Sequence, residues 1–432
     1  MVAMAFERVG PDDLTILATD HGQVPMNIGA VLVFAPGPAA VEVGGELAER
    51  LAGIRRFRQR LMRPGFAAGA PVWVDDQGFR PADHLGAMDL RGADDLLDRA
   101  AALVCCRLPA NRPLWRMQVF EGLPGGGFAV VMVVHHVLAD GMGGLAVLAA
   151  LADAVPVQQW SLRPGPTARE LRRDAWQRRR AALRAAPTTV RTLGEGLREM
   201  GLGRKRPTQV APSSILRPTS SRRTVRTVTV PLAPVVDAAH SHHVTVNDVV
   251  LAAVAGTLFR TLAGRGESPA EVVISVPVSA RPAGTELGNR VGAVPVAVPD
   301  ILDPVARLRA IALRTRQAKS AQRGSSAIVL SWMFRSLAVL RVGQWFVNHQ
   351  RLVHTFETNL RGPSQELHLA GARVEQIVPI AVNPGNVGLS FDVLSYAGRL
   401  TVALVADPVV VPEVAAVAQT LAEELGTLTG EP

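Results

Sequence analysis

Cysteine is nearly missing from this chain: Cys105 and Cys106, side by side, are the only two in 432 residues. They make neither a CxxC pair nor a disulfide framework, and small apolar packing on a helix is their expected role. Aromatic residues are scarce at 4%, and no nucleic-acid fold motif occurs, so nucleic acid is not an expected partner. Although 48% of the chain is hydrophobic, no run of 18 apolar residues is present, and no spanning helix is expected. The opening Met1-Val2-Ala3-Met4-Ala5-Phe6-Glu7-Arg8 lacks the basic-then-apolar order of a signal peptide. A reducing cytoplasm is the expected compartment.

Charge is plentiful but unevenly placed. The chain totals +9, yet residues 163–226 alone hold sixteen arginines and one lysine against four acids, so the remainder is net acidic. Such a block fits an anionic lipid surface better than nucleic acid, and a solvated linker helix has the same composition. The length allows two domains with separate cores. Periodicity gives strands over 27–35, 71–74, 115–120 and 129–134, with helices over 40–61 and 93–107. A basic helix is expected over 167–184, and Pro, Ser and Thr mark 207–218 as a crossover. Beyond it come strands over 223–230, 271–276 and 291–298 and further strands within 367–405. Helices are expected from Thr245, over 304–320, over 326–347 (long and apolar) and over 412–428. This reads as α/β, with α+β layers. The expected units are an N-terminal domain over 1–165, a basic Arg/Pro-rich linker over 166–222 and a C-terminal domain over 223–432.

Chemistry concentrates in one stretch. Residues 129–134 are continuously apolar and valine-rich, as in a strand buried on both faces. His135 and His136 end that strand, Asp140-Gly141-Met142-Gly143-Gly144 breaks the chain, and an apolar helix restarts at Leu145. Successive strand side chains point to opposite faces, so the two histidines are not expected to grip one metal together. One histidine facing a cleft, held by a nearby carboxylate, is the arrangement of a general base. Neither a P-loop nor a serine or cysteine nucleophile motif accompanies it.

His135-His136-xxx-Asp140-Gly141 resembles the active-site motif of the chloramphenicol acetyltransferase-like superfamily. Pro113-Leu114-Trp115, Asn247-Asp248, Arg281-Pro282 followed by Gly288-Asn289-Arg290, and Ser395-Tyr396-Ala397-Gly398-Arg399-Leu400 narrow the resemblance to bacterial wax ester synthase/diacylglycerol acyltransferases. The likeness runs in order through nearly the whole chain. It departs at Gly10-Pro11-Asp12-Asp13, and at Thr358-Asn359-Leu360-Arg361-Gly362-Pro363, where the family has a Ser-Asn-Val-Pro-Gly-Pro type of loop.

The resemblance implies two chloramphenicol acetyltransferase-like domains with an active-site tunnel between them. It implies acyl transfer from acyl-CoA to diacylglycerol or a long-chain alcohol, with His136 as general base, no covalent acyl-enzyme, no cofactor and no metal. Asp140 would set geometry by pairing with Arg281, His135 would support the site, and Gly141 would serve the turn. Asn247 would supply a site hydrogen bond, Asp248 the start of its helix, Asn359 the tunnel floor, and Trp115 packing beside the histidine strand. Peripheral contact with the inner membrane face or lipid droplets is the corresponding expectation. A carrier-protein acyl donor, as in condensation domains, and a weakly active lipid-droplet binding protein are the alternatives.

Overall fold

A computed structural model describes residues 6–90, 95–139, 141–156, 159–199, 209–279, 291–321, 343–381 and 385–430. Its strands, in chain order, are β1 (Glu7–Arg8), β2 (Asn27–Phe34), β3 (Gln59–Met62), β4 (Val72–Asp75), β5 (Leu85–Asp89), β6 (Trp115–Glu121), β7 (Phe128–His135), β8 (Thr224–Pro231), β9 (Glu271–Ser279), β10 (Val291–Pro299), β11 (Thr355–Arg361), β12 (His368–Leu369), β13 (Ala372–Ala381), β14 (Leu389–Tyr396) and β15 (Arg399–Ala406). Two six-stranded sheets, ordered β12-β13-β2-β7-β6-β5 and β10-β9-β11-β14-β15-β8, flank one seam, and β1, β4 and β3 form a small third sheet. The helices are α1 (Pro11–Thr19), α2 (Ala40–Gly53), α3 (Leu96–Val104), α4 (Gly141–Leu151), α5 (Ala168–Glu199), α6 (Leu232–Ser241), α7 (Val246–Gly264), α8 (Pro304–Ala321), α9 (Gly343–Asn348) and α10 (Val414–Thr429).

The unbroken apolar run of β7 has a direct cause. Val130, Met132 and Val134 enter a core with Val43, Leu47 and Leu51 of α2 and Val147 and Leu148 of α4. Ala129, Val131 and Val133 face the other way, onto Ala100, Ala101 and Val104 of α3 and onto Val225, Ala403 and Val405 of the second sheet. With both faces covered, alternation would place polar groups in a core, so none is found. Burial contributes roughly 1.5–3 kcal/mol for each Val, Leu or Met side chain. Gly29 of β2 allows the close approach of α3: a Cβ there would lie 2.6 Å from Val104 Cγ2.

The sheets do not follow the expected sequence blocks. β12 and β13, from the C-terminal block 223–432, join the first sheet, where Ile377 pairs with Leu32 and Ala381 with Ile28. Strand pairing across the seam thus overrides a division by chain position. The helix expected over 40–61 stops at Gly53, because Ile54 turns extended, Arg55–Arg58 winds as a short 3-10 turn and Gln59 begins β3. The stretch expected as a loop at residues 358–363 is largely strand, β11 ending at Arg361. α1, α6 and β5 were not expected. Of the apolar helix expected over 326–347, residues 326–342 lie outside the described residues.

α7 is long and apolar enough to cross a bilayer, with a mean hydropathy of 1.4. Its residues 249–255 are all fully buried in the core of the second sheet, so it is a core helix. The basic segment is anchored at its start. Leu171, Asp174 and Ala175 of α5 are buried, and the Arg8 guanidinium donates to Asp174 at 2.6 Å and to the Leu171 carbonyl at 2.9 Å. Removing one partner of such a buried pair typically costs ~3–5 kcal/mol.

Candidate functional site

His135 and His136 emerge where β7 ends, and neighbouring segments fix their backbones. The His135 amide donates to the Leu114 carbonyl at 2.9 Å and the His136 amide to the Met26 carbonyl at 2.8 Å. Leu114 belongs to the Pro113-Leu114-Trp115 motif, so that motif does more than pack. Trp115 itself is buried, donates its indole N–H to the Phe57 carbonyl at 2.6 Å and stacks on His84 at 4.3 Å.

His135 Nδ1 accepts the Val137 amide at 3.1 Å, which leaves the ring proton on Nε2, facing Asp20 Oδ2 at 3.3 Å. Both nitrogens of His135 are committed. His136 lies just beyond the strand and is half-buried. Asp20 follows α1 and ties the turn together: its Oδ1 accepts the Met26 amide at 2.9 Å, and the Arg107 guanidinium stands 3.4 Å away. Burial pushes the Asp20 carboxyl up, but the His135 hydrogen bond, the Met26 amide and Arg107 outweigh it, and the net shift is downward. Asp20 therefore stays ionised and His135 stays a donor to it.

Asp20, Arg107 and Asn27 escaped the sequence reading. Asn27, opposite His135 in the β2–β7 register, donates to the Val104 and Cys106 carbonyls at 2.9 and 2.8 Å. Nothing in the local pattern signals any of them. Asp20 is 115 residues from His135, and only the fold joins them.

The other expected residues are dispersed. Gly141 begins α4, while Asp140 and Arg281, the expected pair, lie outside the described residues. Asp248 completes a capping box with Thr245 and accepts the Thr315 hydroxyl at 2.7 Å, which makes it an anchor of α7. Asn247 is half-buried in the first turn of that helix. Asn359 sits opposite Val393 in the parallel β11–β14 pair. It shares the face of Val393, which packs on α7 and α10, whereas Thr358 and Leu360 take the seam side with Asp392 and Leu394. Cys105 is half-buried at the end of α3, its thiol pushed up to about 11 by burial.

With this geometry in place, three comparisons bear on the chain. Residues 9–250 match the wax ester synthase/diacylglycerol acyltransferase catalytic domain and residues 287–429 the WS/DGAT C-terminal domain. The probable diacylglycerol O-acyltransferase tgs1 of Mycobacterium tuberculosis H37Rv is 31% identical, over 94% of this chain and 91% of that protein. Among solved structures, the wax ester synthase/diacylglycerol acyltransferase of Marinobacter aquaeolei VT8 superposes with a TM-score of 0.71 at 22% identity, covering 98% of this chain and all of that one. The starter condensation domain of rhizomide synthetase, described in complex with C8-CoA, superposes with a TM-score of 0.63 at 15% identity, covering 100% and 96% of the two chains. The two-domain α/β fold is the one these structures share.

Proposed function

The chain belongs to the wax ester synthase/diacylglycerol acyltransferase family, and from that premise we propose that it transfers an acyl group from acyl-CoA to a lipid hydroxyl with His136 as general base. It is an acyltransferase esterifying diacylglycerol or alcohols. One observation carries the choice of base. His135 receives an N–H on one nitrogen and presents its proton to Asp20 from the other, so it has no lone pair to offer, which supports the second histidine of the motif, His136, as the base.

A neutral imidazole, with an ordinary pKa of ~6.5, accepts the hydroxyl proton as the oxygen attacks the thioester carbonyl. The C–O bond forms, the C–S bond breaks, and the proton passes to the departing thiolate of CoA. No acyl-enzyme intervenes. The Asp20–His135–Val137 lock and the Leu114 and Met26 carbonyls hold the turn, so the base is oriented before substrate binds. Asp140, paired with Arg281, is read as a support of the same turn, with Gly141 starting α4 beyond it.

α5 supports a peripheral contact with the anionic inner membrane face or a lipid droplet. Beyond its buried stripe, Arg172, Arg173, Arg179 and Arg184 are exposed, with Trp176 at 55% exposure and Leu183 beside them. Arg180 lies 4.1 Å from the Trp176 ring. Aromatic and arginine side chains on one exposed face suit a headgroup layer.

The test is direct. Purified protein is given palmitoyl-CoA with dioleoylglycerol or with hexadecanol, and CoA release and neutral-lipid product are measured. Ester is expected from wild type, and a folded His136→Ala variant should lose on the order of 10²–10⁴ in rate. A folded His136→Ala that keeps wild-type turnover would sink the base assignment. Turnover only with a carrier-linked donor would replace acyl-CoA in the reading.

A further inference from the structure

We propose that a groove beside the starts of β9, β11 and β14 in the second sheet holds the nucleotide end of the acyl-CoA donor, its 3′-phosphorylated adenosine diphosphate. The proposal rests on the acyl-CoA reading above and adds a place and a set of residues for the donor.

The groove, about 590 Å³, lies between the crossover loop at 212–218, the segment 348–351 after α9, and Asn386. Its size is within the ~300–1,000 Å³ of small-molecule sites. Topology puts it at the end of the molecule where the histidines emerge. β13 leaves the first sheet at Ala381, which pairs with Ile28, and Ile28 pairs with Val134 beside His135. Five residues after Ala381 the chain reaches Asn386, just before β14 begins. β11 runs parallel to β14 and begins at the same end, so the segment before it, 348–354, lies there too. α9 also packs against α1, the helix that ends at Asp20.

The lining suits a phosphorylated purine. Arg217 is exposed, and Arg351 is half-buried with its Nε and Nη2 donating to the Val210 carbonyl at 3.1 and 2.8 Å, which holds the guanidinium in place. Two guanidinium groups lining one groove match a diphosphate. His349 stacks on Trp345 at 4.9 Å, and Trp345 is 65% exposed, giving an aromatic ledge at the rim for a base.

Asn386 is 4% exposed and donates to the Gln350 carbonyl at 2.9 Å. Its buried Oδ1 has no hydrogen-bond partner among the described residues, an acceptor suited to a purine amino group. The adjoining loop is built tightly: Gly385 has φ +86°, and a Cβ there would collide with the Val347 carbonyl. Glu267 is the acid in the lining, and its carboxylate is already engaged by the Ser214 amide at 3.1 Å.

Two donors test the assignment: palmitoyl-CoA and palmitoyl-pantetheine, which carries the same thioester without the nucleotide. Wild type should prefer the CoA thioester in kcat/KM, chiefly through KM. Arg217→Glu, and separately His349→Ala, should each lower the ratio of the two kcat/KM values by about tenfold, the loss of one good contact. Calorimetry with adenosine 3′,5′-bisphosphate gives a readout independent of turnover, and binding should weaken in both variants.

An unchanged ratio in folded variants, or no binding of the bisphosphate to wild type, overturns the groove. If wild type turns over neither donor, the acyl-CoA reading fails while calorimetry still decides the groove: bisphosphate binding that Arg217→Glu weakens supports a nucleotide site, and its absence removes one.

Discussion

The two six-stranded sheets bury their polar groups in opposite ways. In the first, polar groups near the end of β7 are paired: His135 with Asp20, 115 positions away, and with the nearby Val137 amide, Asn27 with the Val104 and Cys106 carbonyls. Asp20, despite burial, is held below its ordinary range. At two positions of the second sheet burial wins. Asp392 on β14 accepts the Ala381 amide at 2.7 Å, yet burial pushes its carboxyl up to about 7. His354, fully buried beside β11, accepts the Val273 amide at 2.9 Å, and burial pushes it down to about 4. The first sheet preserves charge to hold geometry around His136. At Asp392 and His354 the second sheet favours the uncharged form, and its stability is therefore tied to pH.

The largest expected effect follows from that second case. A raised Asp392 means the folded state binds the proton more tightly than the unfolded chain, so its contribution is full below about pH 4 and lost as pH rises through about 7. A lowered His354 has the opposite sign: its contribution is present above its unfolded pKa near 6.5 and is lost as pH falls toward about 4. Between these values the two slopes oppose each other. Asp392→Asn removes one of them. Urea unfolding should show the variant gaining stability relative to wild type as pH rises from 4 to 8, by on the order of 4 kcal/mol at most, three pKa units at ~1.4 kcal/mol each. The variant's own stability should then climb between pH 4 and 6.5, the window of His354. Parallel curves for variant and wild type would erase the contrast between the sheets.

A smaller effect is expected on the first sheet, and it should appear in catalysis. Asp20→Ala frees the His135 ring and the Met26 amide together, and Met26 carries the carbonyl that holds the His136 backbone. A displacement of the base by a fraction of an ångström should lower kcat by roughly 10- to 100-fold with little change in KM. Asp20→Glu, which keeps the charge, should recover part of the loss. Because Asp20 is shifted downward, its stabilising effect is present above the ordinary carboxylate range and disappears as pH falls through and below about 4. An unchanged kcat in Asp20→Ala would reduce the lock to a structural tie.

The same contrast explains what was legible in the sequence. β7, the double histidine and the break at Gly141 could be read because a strand covered on both faces is continuously apolar and the turn after it must be small. Buried α7 and its Thr245 start were legible for the same local reasons. The pairings that hold the site were not. Asp20 reaches His135 across 115 positions, and β13 pairs with β2 although some 340 residues separate them. The chain between 40 and 61 kept an apolar helical period past Gly53, where Ile54 turned it into a 3-10 turn and a strand. The resemblance points Asn359 toward the tunnel, but one residue of register sends it to the helix side and Thr358 to the seam.

The smallest effect tests whether Asn247-Asp248 belongs to catalysis or to architecture. Asp248 spends Oδ2 on the Thr245 amide and hydroxyl, at 2.9 and 2.7 Å, and Oδ1 on Thr315. The Thr245 hydroxyl is itself near the Asp248 amide at 3.2 Å. With both carboxylate oxygens occupied, Asp248 has an architectural explanation that is complete without substrate. Thr245→Ala should cost about 1 kcal/mol, the usual value of an N-cap, seen as a lowered Tm. If the helix start is only architecture, kcat/KM stays at wild-type level while Tm falls. If Asn247, one residue before Asp248, also donates to the reacting oxygen, Asn247→Ala should lose kcat with little change in Tm, the reverse pattern. The two single variants thus separate the roles of adjacent residues, because the cap acts on the folding equilibrium and a site hydrogen bond acts on the transition state.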